Sequence, residues 1–181
     1  MKTFALALIL ATAPATIACA QSAPAAAQRE PDVIYVPTPQ PVVDAMLKLA
    51  DVKKGDILYD LGSGDGRIPV TAARVYGIRA TGIDIDPERI AEAKANVAKN
   101  NVGNLVTIRQ EDLFQADFRD ASVVTLYLLP SLNEKLKPRL LAELKPGTRI
   151  VSNTFDMGDW KPEKTQEVEG RNIYLWTIPK R

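Results

Sequence analysis

No histidine occurs among the 181 residues, and there is a single cysteine, Cys19. A histidine-based catalytic triad and a histidine-ligated zinc site are therefore excluded. One cysteine forms no intrachain disulfide and no cysteine-rich metal site. An excess of charge is missing too: 23 Lys and Arg stand against 22 Asp and Glu, a formal net charge of +1. That balance gives no global electrostatic reason to expect nucleic acid or an anionic membrane as a partner. The chain also lacks an internal repeat. Its one apolar run near the start is short and broken by Pro14, which argues against a membrane span of roughly 20 residues.

What remains is the composition of a soluble globular protein, 46% apolar and 25% charged. The length suits one domain with a full core. Residues 1–20 read as a signal peptide: Lys2 is a short positive region, 4–10 an apolar region, and Ala18-Cys19-Ala20 supplies small residues for cleavage after Ala20. The expected location is therefore periplasmic or extracellular. A lipidated Cys19 is the weaker alternative, because Thr16 stands where a lipobox usually has Leu. Cleavage after Ala20 removes Lys2 and Cys19, leaving a cysteine-free domain with 22 basic and 22 acidic residues. Residues 21–30, rich in Ala, Pro and Gln, read as a flexible linker, and 31–181 as the folded domain.

Within 31–181, apolar strands alternate with helical patterns. Strands are expected over 56–61, 79–85, 105–109, 122–128 and 148–153. Helices are expected from Thr38-Pro39, with Thr38 as cap and Pro39 in the first turn, over 68–76 closed by Gly77, and from Asp86-Pro87 to about 100. Ser131-Leu132-Asn133-Glu134 has capping-box spacing, and Pro138 is expected to kink or split the helix that follows. Residues 165–169 and 172–178 flank Gly170 as a closing hairpin. The predicted fold is a doubly wound, mostly parallel α/β sheet with right-handed crossovers and an antiparallel C-terminal hairpin, its ligand lying at the carboxyl ends of the first strands.

Three features fall at those strand ends. Gly62-Ser63-Gly64-Asp65-Gly66 follows the first strand and opens a helix, a spacing that allows a sharp turn and close backbone approach. Asp84, twenty residues after Gly64, ends the second strand, where a carboxylate can accept hydrogen bonds from both hydroxyls of a ribose. Asp112 follows the third strand, placed to accept from an exocyclic amine. Each is weak alone: Asp84 would serve equally as a helix cap and Asp112 as a solvated loop residue. Their order makes the set specific. A phosphate-binding loop would need Lys and Ser or Thr after Gly66, where Arg67-Ile68 stands, and a dinucleotide fingerprint would need its third glycine at Arg67. Asp60 and Asp65 would repel a pyrophosphate and suit a ligand with a cationic end.

Tyr59 to Arg67 resembles motif I of class I S-adenosylmethionine-dependent methyltransferases, Gly82 to Asp86 their motif II, and Glu111-Asp112-Leu113 their motif III. The resemblance implies a Rossmann-like fold and S-adenosylmethionine as cofactor. It implies that Asp60, Gly62, Ser63, Gly64 and Gly66 hold the methionine part, Asp84 the ribose, and Asp112 with Leu113 the adenine. Tyr35-Val36-Pro37-Thr38-Pro39, Tyr127-Leu128-Leu129-Pro130 and Lys145-Pro146-Gly147 are similar to the protein-lysine methyltransferases that modify the ATP-synthase c subunit. By that likeness Tyr35 and Thr38 close over the cofactor, Tyr127 and Pro130 border the methyl acceptor, and the acceptor is a protein lysine or another amine. Two features depart from related enzymes. The Asn/Asp-Pro-Pro-Tyr acceptor motif is absent, and an export signal removes the domain from the cytosol, where the cofactor is made. These leave a second expectation open: an exported nucleoside-binding module without catalysis.

Overall fold

The computed structural model describes residues 34–180. The expected signal peptide 1–20 and linker 21–30 lie outside the described residues.

The elements follow one another as α1 (Gln40–Leu49), β1 (Ile57–Leu61), α2 (Arg67–Tyr76), β2 (Arg79–Asp84), α3 (Pro87–Lys99), β3 (Val106–Gln110), β4 (Val123–Leu126), α4 (Pro130–Glu143), β5 (Arg149–Asn153), β6 (Lys164–Val168) and β7 (Arg171–Thr177). The seven strands form one sheet in the order β3-β2-β1-β4-β5-β7-β6. β1 to β5 run parallel, and β7 joins antiparallel to β5 and carries β6 at the edge. The predicted doubly wound sheet with an antiparallel C-terminal hairpin is the observed one.

Side chains alternate across the sheet and feed two cores. Leu58, Val123, Val151 and Leu175 join Val42, Met46, Leu47 and Ala72 on the face covered by α1 to α3. Tyr59, Leu61, Val124, Ile150 and Trp176 join Phe118, Leu136 and Leu140 on the other face, under α4. Both faces of the parallel strands are covered, which explains why β1, β4 and β5 are almost continuously buried.

Three expectations are corrected. Thr38 is not the cap of α1. Pro39 is, with its carbonyl accepting from Val42 and Val43 at 3.0 Å each, while the Thr38 hydroxyl accepts from Asn153 at the end of β5 (3.4 Å). Ser131 does not cap α4 either. The helix begins one residue earlier at Pro130, behind Leu129, and the Ser131 side chain makes no cap. Pro138 does not split α4. It removes one backbone donor, but contacts on both sides hold the helix. Leu136 and Leu140 are fully buried, and Arg139 donates to the carbonyls of Leu113 (3.2 Å) and Ala116 (2.9 Å). Asp86, by contrast, caps α3 as expected, accepting from the backbone N–H of Glu88 at 2.8 Å.

Candidate active site

The parallel strands end on one edge of the sheet, and the loops that leave them enclose a cleft of about 920 Å³, counting its open mouth. Its floor is Asp60 near the end of β1 with Gly62 and Ser63 beyond it. Asp84, Ile85 and Asp86 form one wall after β2, and Glu111 to Phe114 another after β3. Tyr127 and Leu128, which leave the sheet after β4, form a lip, and residues 34–38 pass over the top.

The glycine loop is fixed by its own backbone. The N–H groups of Gly62 and Ser63 both donate to the carbonyl of Ile83 at 2.9 Å, and Gly66 closes the turn on Ser63 at 2.9 Å. Gly62 and Gly64 have φ of +82° and +52°, a region that favours glycine. Their missing side chains are also space that neighbours use. A Cβ at Gly62 would lie 2.8 Å from Leu128, and one at Gly64 would collide with the Tyr35 ring. Gly64 therefore serves the close approach of Tyr35, and that ring also carries the Arg89 guanidinium 4.7 Å from its centroid.

The carboxylates are in distinct states. Asp84 accepts from the backbone N–H of Gly64 (2.7 Å) and of Asp86 (3.0 Å), so β2 and the glycine loop aim it into the cleft. Asp65 is already neutralised: burial opposes its charge, but a two-pronged contact from Arg67 (2.7 and 2.9 Å) holds its carboxyl below the ordinary range. Asp65 therefore does not offer a free charge to a ligand, as its position beside the turn suggested. Asp60 is the opposite case. It is 2% exposed, accepts one hydrogen bond from Thr125 (2.7 Å), and its Oδ2 has no partner. Burial, with the nearby charges of Asp84 and Asp65, pushes it up to about 8. The Ser63 hydroxyl is likewise buried without a partner. Asp112 accepts from the Phe114 N–H at 2.9 Å.

Of the residues singled out from the sequence, Tyr35, Thr38, Asp60, Gly62, Ser63, Asp84, Asp112, Leu113 and Tyr127 all line this cleft. Gly64 and Gly66 shape it from behind the Tyr35 ring and the α3 residue Ala93. Pro130 is exposed, starts α4 and is not among the lining residues. The sequence reading missed Arg67, Arg89, Phe114 and Leu132. It also missed the brace on Tyr127, whose ring stacks on Phe155 at 6.2 Å while its hydroxyl accepts from Arg171 at 3.0 Å. Six carboxyl groups line the cleft (Asp60, Asp65, Asp84, Asp86, Glu111 and Asp112) against the guanidinium groups of Arg67 and Arg89. With a buried carboxyl at its floor that carries no ion-pair partner, this set fits a ligand that is cationic at one end and hydroxyl-bearing at the other.

Residues 60–164 match the sequence model of the family described as the ANTKMT methyltransferase domain. A protein-lysine N-methyltransferase of Saccharolobus islandicus is 48% identical over 153 residues, covering 82% of this chain and 95% of that protein. The chain belongs to the ANTKMT methyltransferase domain family. As a member of that family it is an S-adenosylmethionine-dependent methyltransferase. A crystal structure described as an RNA methyltransferase from Salinibacter ruber, in complex with S-adenosyl-L-homocysteine, is 57% identical with a TM-score of 0.79, covering 81% of this chain and 95% of that one. The mouse adenine nucleotide translocase lysine N-methyltransferase is 35% identical over 72% of this chain, which spans 56% of that protein's length. The resemblance to the ATP-synthase c-subunit enzymes holds as well, at 28% identity over 131 residues to the one from rat. Within this methyltransferase the glycine loop, Asp84 and Asp112 fall inside the matched region, whereas Tyr35, Thr38 and the Arg171 brace lie outside it.

Proposed function

We propose that this methyltransferase transfers a methyl group to the side-chain amine of a lysine in a protein. The observation that carries the reading is the match to nearly the full length of a relative described as a protein-lysine N-methyltransferase. Bound S-adenosylmethionine supplies an electrophilic methyl on a sulfonium, which leaves readily.

The chain's own residues then have to align and to exclude water. Asp84, fixed by two backbone N–H groups, is oriented for the ribose hydroxyls. Asp60, Gly62 and Ser63 would hold the cationic amino-acid end of the cofactor. Leu113 and Asp112 would hold the adenine. Tyr35 and Thr38 cover the cleft, with Thr38 anchored through its carbonyl to Arg67 at 2.8 Å. Tyr127, braced by Phe155 and Arg171, borders the acceptor, and Pro130 acts indirectly by starting α4 behind that lip. No covalent intermediate on the protein is needed, in keeping with a chain without histidine.

Residues 1–20 act in this reading as an export signal, supported by their charge and small-residue pattern. Among the described residues no helix is long and apolar enough to cross a membrane.

The test is incubation of the purified protein with tritiated S-adenosylmethionine and an extract of the source cell. The expected result is label on a protein band, with mass spectrometry placing the added methyl on lysine. Label lost to ribonuclease would replace this reading with the RNA one.

A further inference from the structure

Asp60 sits in the cleft floor with one carboxyl oxygen bonded to Thr125 and the other bonded to nothing. The charged groups around it do not neutralise it. Asp84 at the end of β2 and Asp65 in the glycine loop are like charges. The Arg67 guanidinium from α2 is committed to Asp65 and to the Thr38 carbonyl. Arg89 from α3 is paired with Glu88 and Glu92 and lies over Tyr35. On the loop after β3, Glu111 is paired with Arg109, and Asp112 adds a further carboxyl group. β4 contributes the neutral Thr125, β5 the neutral Asn153, and residues 34–38 and the lip contribute the phenols Tyr35 and Tyr127. Asp60 is thus a desolvated carboxyl beside like charges with no cation of its own, and burial above all favours its protonated form at neutral pH.

We propose that capture of the cofactor expels one proton from the Asp60 carboxyl, so that this one side chain makes cofactor affinity depend on pH. The inference rests on the reading that the cofactor's amino-acid end lies at Asp60. The exchange balances: a neutral carboxyl meets an α-ammonium, the carboxyl's proton leaves to solvent, and a carboxylate–ammonium pair remains. The bound state needs the carboxylate and the free state holds the acid, so affinity rises about tenfold per pH unit below the Asp60 midpoint. It declines again at the higher pH where the ligand's own α-amino group loses its proton.

The test is calorimetric titration of the intact protein with S-adenosylhomocysteine, which carries the α-ammonium without the sulfonium. Titrations at pH 7 in buffers of different ionisation enthalpy give the number of protons released. The expected number lies between about one half and one. The same titration with 5′-methylthioadenosine, which lacks the amino-acid part, is expected to release none. Asp60→Asn is expected to release none with either ligand and to show an affinity for S-adenosylhomocysteine that no longer rises between pH 6 and 7.5. The contrast between the two ligands on the unaltered protein tests the proposal even where that variant fails to fold. S-adenosylhomocysteine binding with no proton release, or equal release with both ligands, overturns the proposal. Failure of folded protein to bind S-adenosylhomocysteine at all would instead sink the underlying reading of the cleft.

Discussion

Asp84 illustrates how a single side chain is prepared before its ligand arrives. Its two oxygens accept from Gly64 (2.7 Å) and Asp86 (3.0 Å), so its orientation is set by the backbone at both ends of the cleft floor. Removing it deletes charge-assisted hydrogen bonds to a ribose and leaves the Gly64 N–H without its acceptor. Asp84→Ala is therefore expected to weaken S-adenosylhomocysteine binding by about 1–3 kcal/mol, measured by calorimetry. Gly64→Ala tests the neighbouring claim. Its Cβ runs into the Tyr35 ring and its φ of +52° disfavours a side chain. The Tyr35 cover is expected to be displaced and cofactor binding to fall at least about tenfold, while Gly77→Ala, with open space around its Cβ, leaves binding unchanged. These positions were legible because covalent spacing dictates them: strand, glycine loop and a carboxylate twenty residues on. The state of each carboxylate was not. Asp60 and Asp65 both flank the turn, yet one is deeply buried with one oxygen left without a partner and the other is neutralised by Arg67. Only tertiary packing separates them.

At the scale of elements, the alternation of apolar and helical periods was sufficient for the succession of strands and helices up to β5 and for a mostly parallel sheet, because crossover units leave little freedom of connection; the order of the strands across the sheet was not read from it. Helix starts were less legible. Thr38 and Ser131 both have the chemistry of caps, but Thr38 is drawn to Asn153 and α4 starts early on Pro130. In each case competition from a partner or a neighbouring proline displaced a local preference. The closing hairpin was legible from Gly170, and its geometry adds a test. Glu169 and Gly170 both have positive φ, 50° and 70°, which is the two-residue turn matched to the twist of paired strands. Glutamate at the first position is strained where asparagine is not. Glu169→Asn is expected to raise stability by about 0.5–1 kcal/mol, and Gly170→Val to lower it by about 1–2 kcal/mol, both read from urea unfolding. Equal midpoints for Glu169→Asn and the unaltered chain would show that this turn stores no strain.

For the molecule as a whole, the buried carboxylates pull stability in opposite directions along the pH axis. Asp56 ties the base of β1 to its neighbours: it accepts from Lys53 N–H at 2.8 Å and Ser122 at 2.7 Å and pairs with Arg149, which also bonds the carbonyl of Ala50 at 2.8 Å. Burial opposes its charge, but these donors hold its carboxyl below the ordinary range. Its stabilisation is thus present above the ordinary carboxylate range and is lost as pH falls through its folded value. Asp60 has the reverse sign. Its folded value is raised to about 8, so between the ordinary carboxylate range and pH 8 the folded protein binds more protons than the unfolded one. The contribution of Asp60 is fully present in weak acid and is lost as pH rises, at a limiting slope of about 1.4 kcal/mol per pH unit. The ligand-free protein is therefore expected to lose stability steadily from pH 5 to 8, measured by urea unfolding at each pH. Asp60→Asn removes the titrating group and should flatten that decline. Saturating S-adenosylhomocysteine should flatten it as well, since the bound carboxylate no longer has to discard a proton without compensation. Parallel pH profiles for Asp60→Asn and the unaltered protein would show instead that Asp60 is ionised in the free enzyme, hydrated through the open mouth of the cleft.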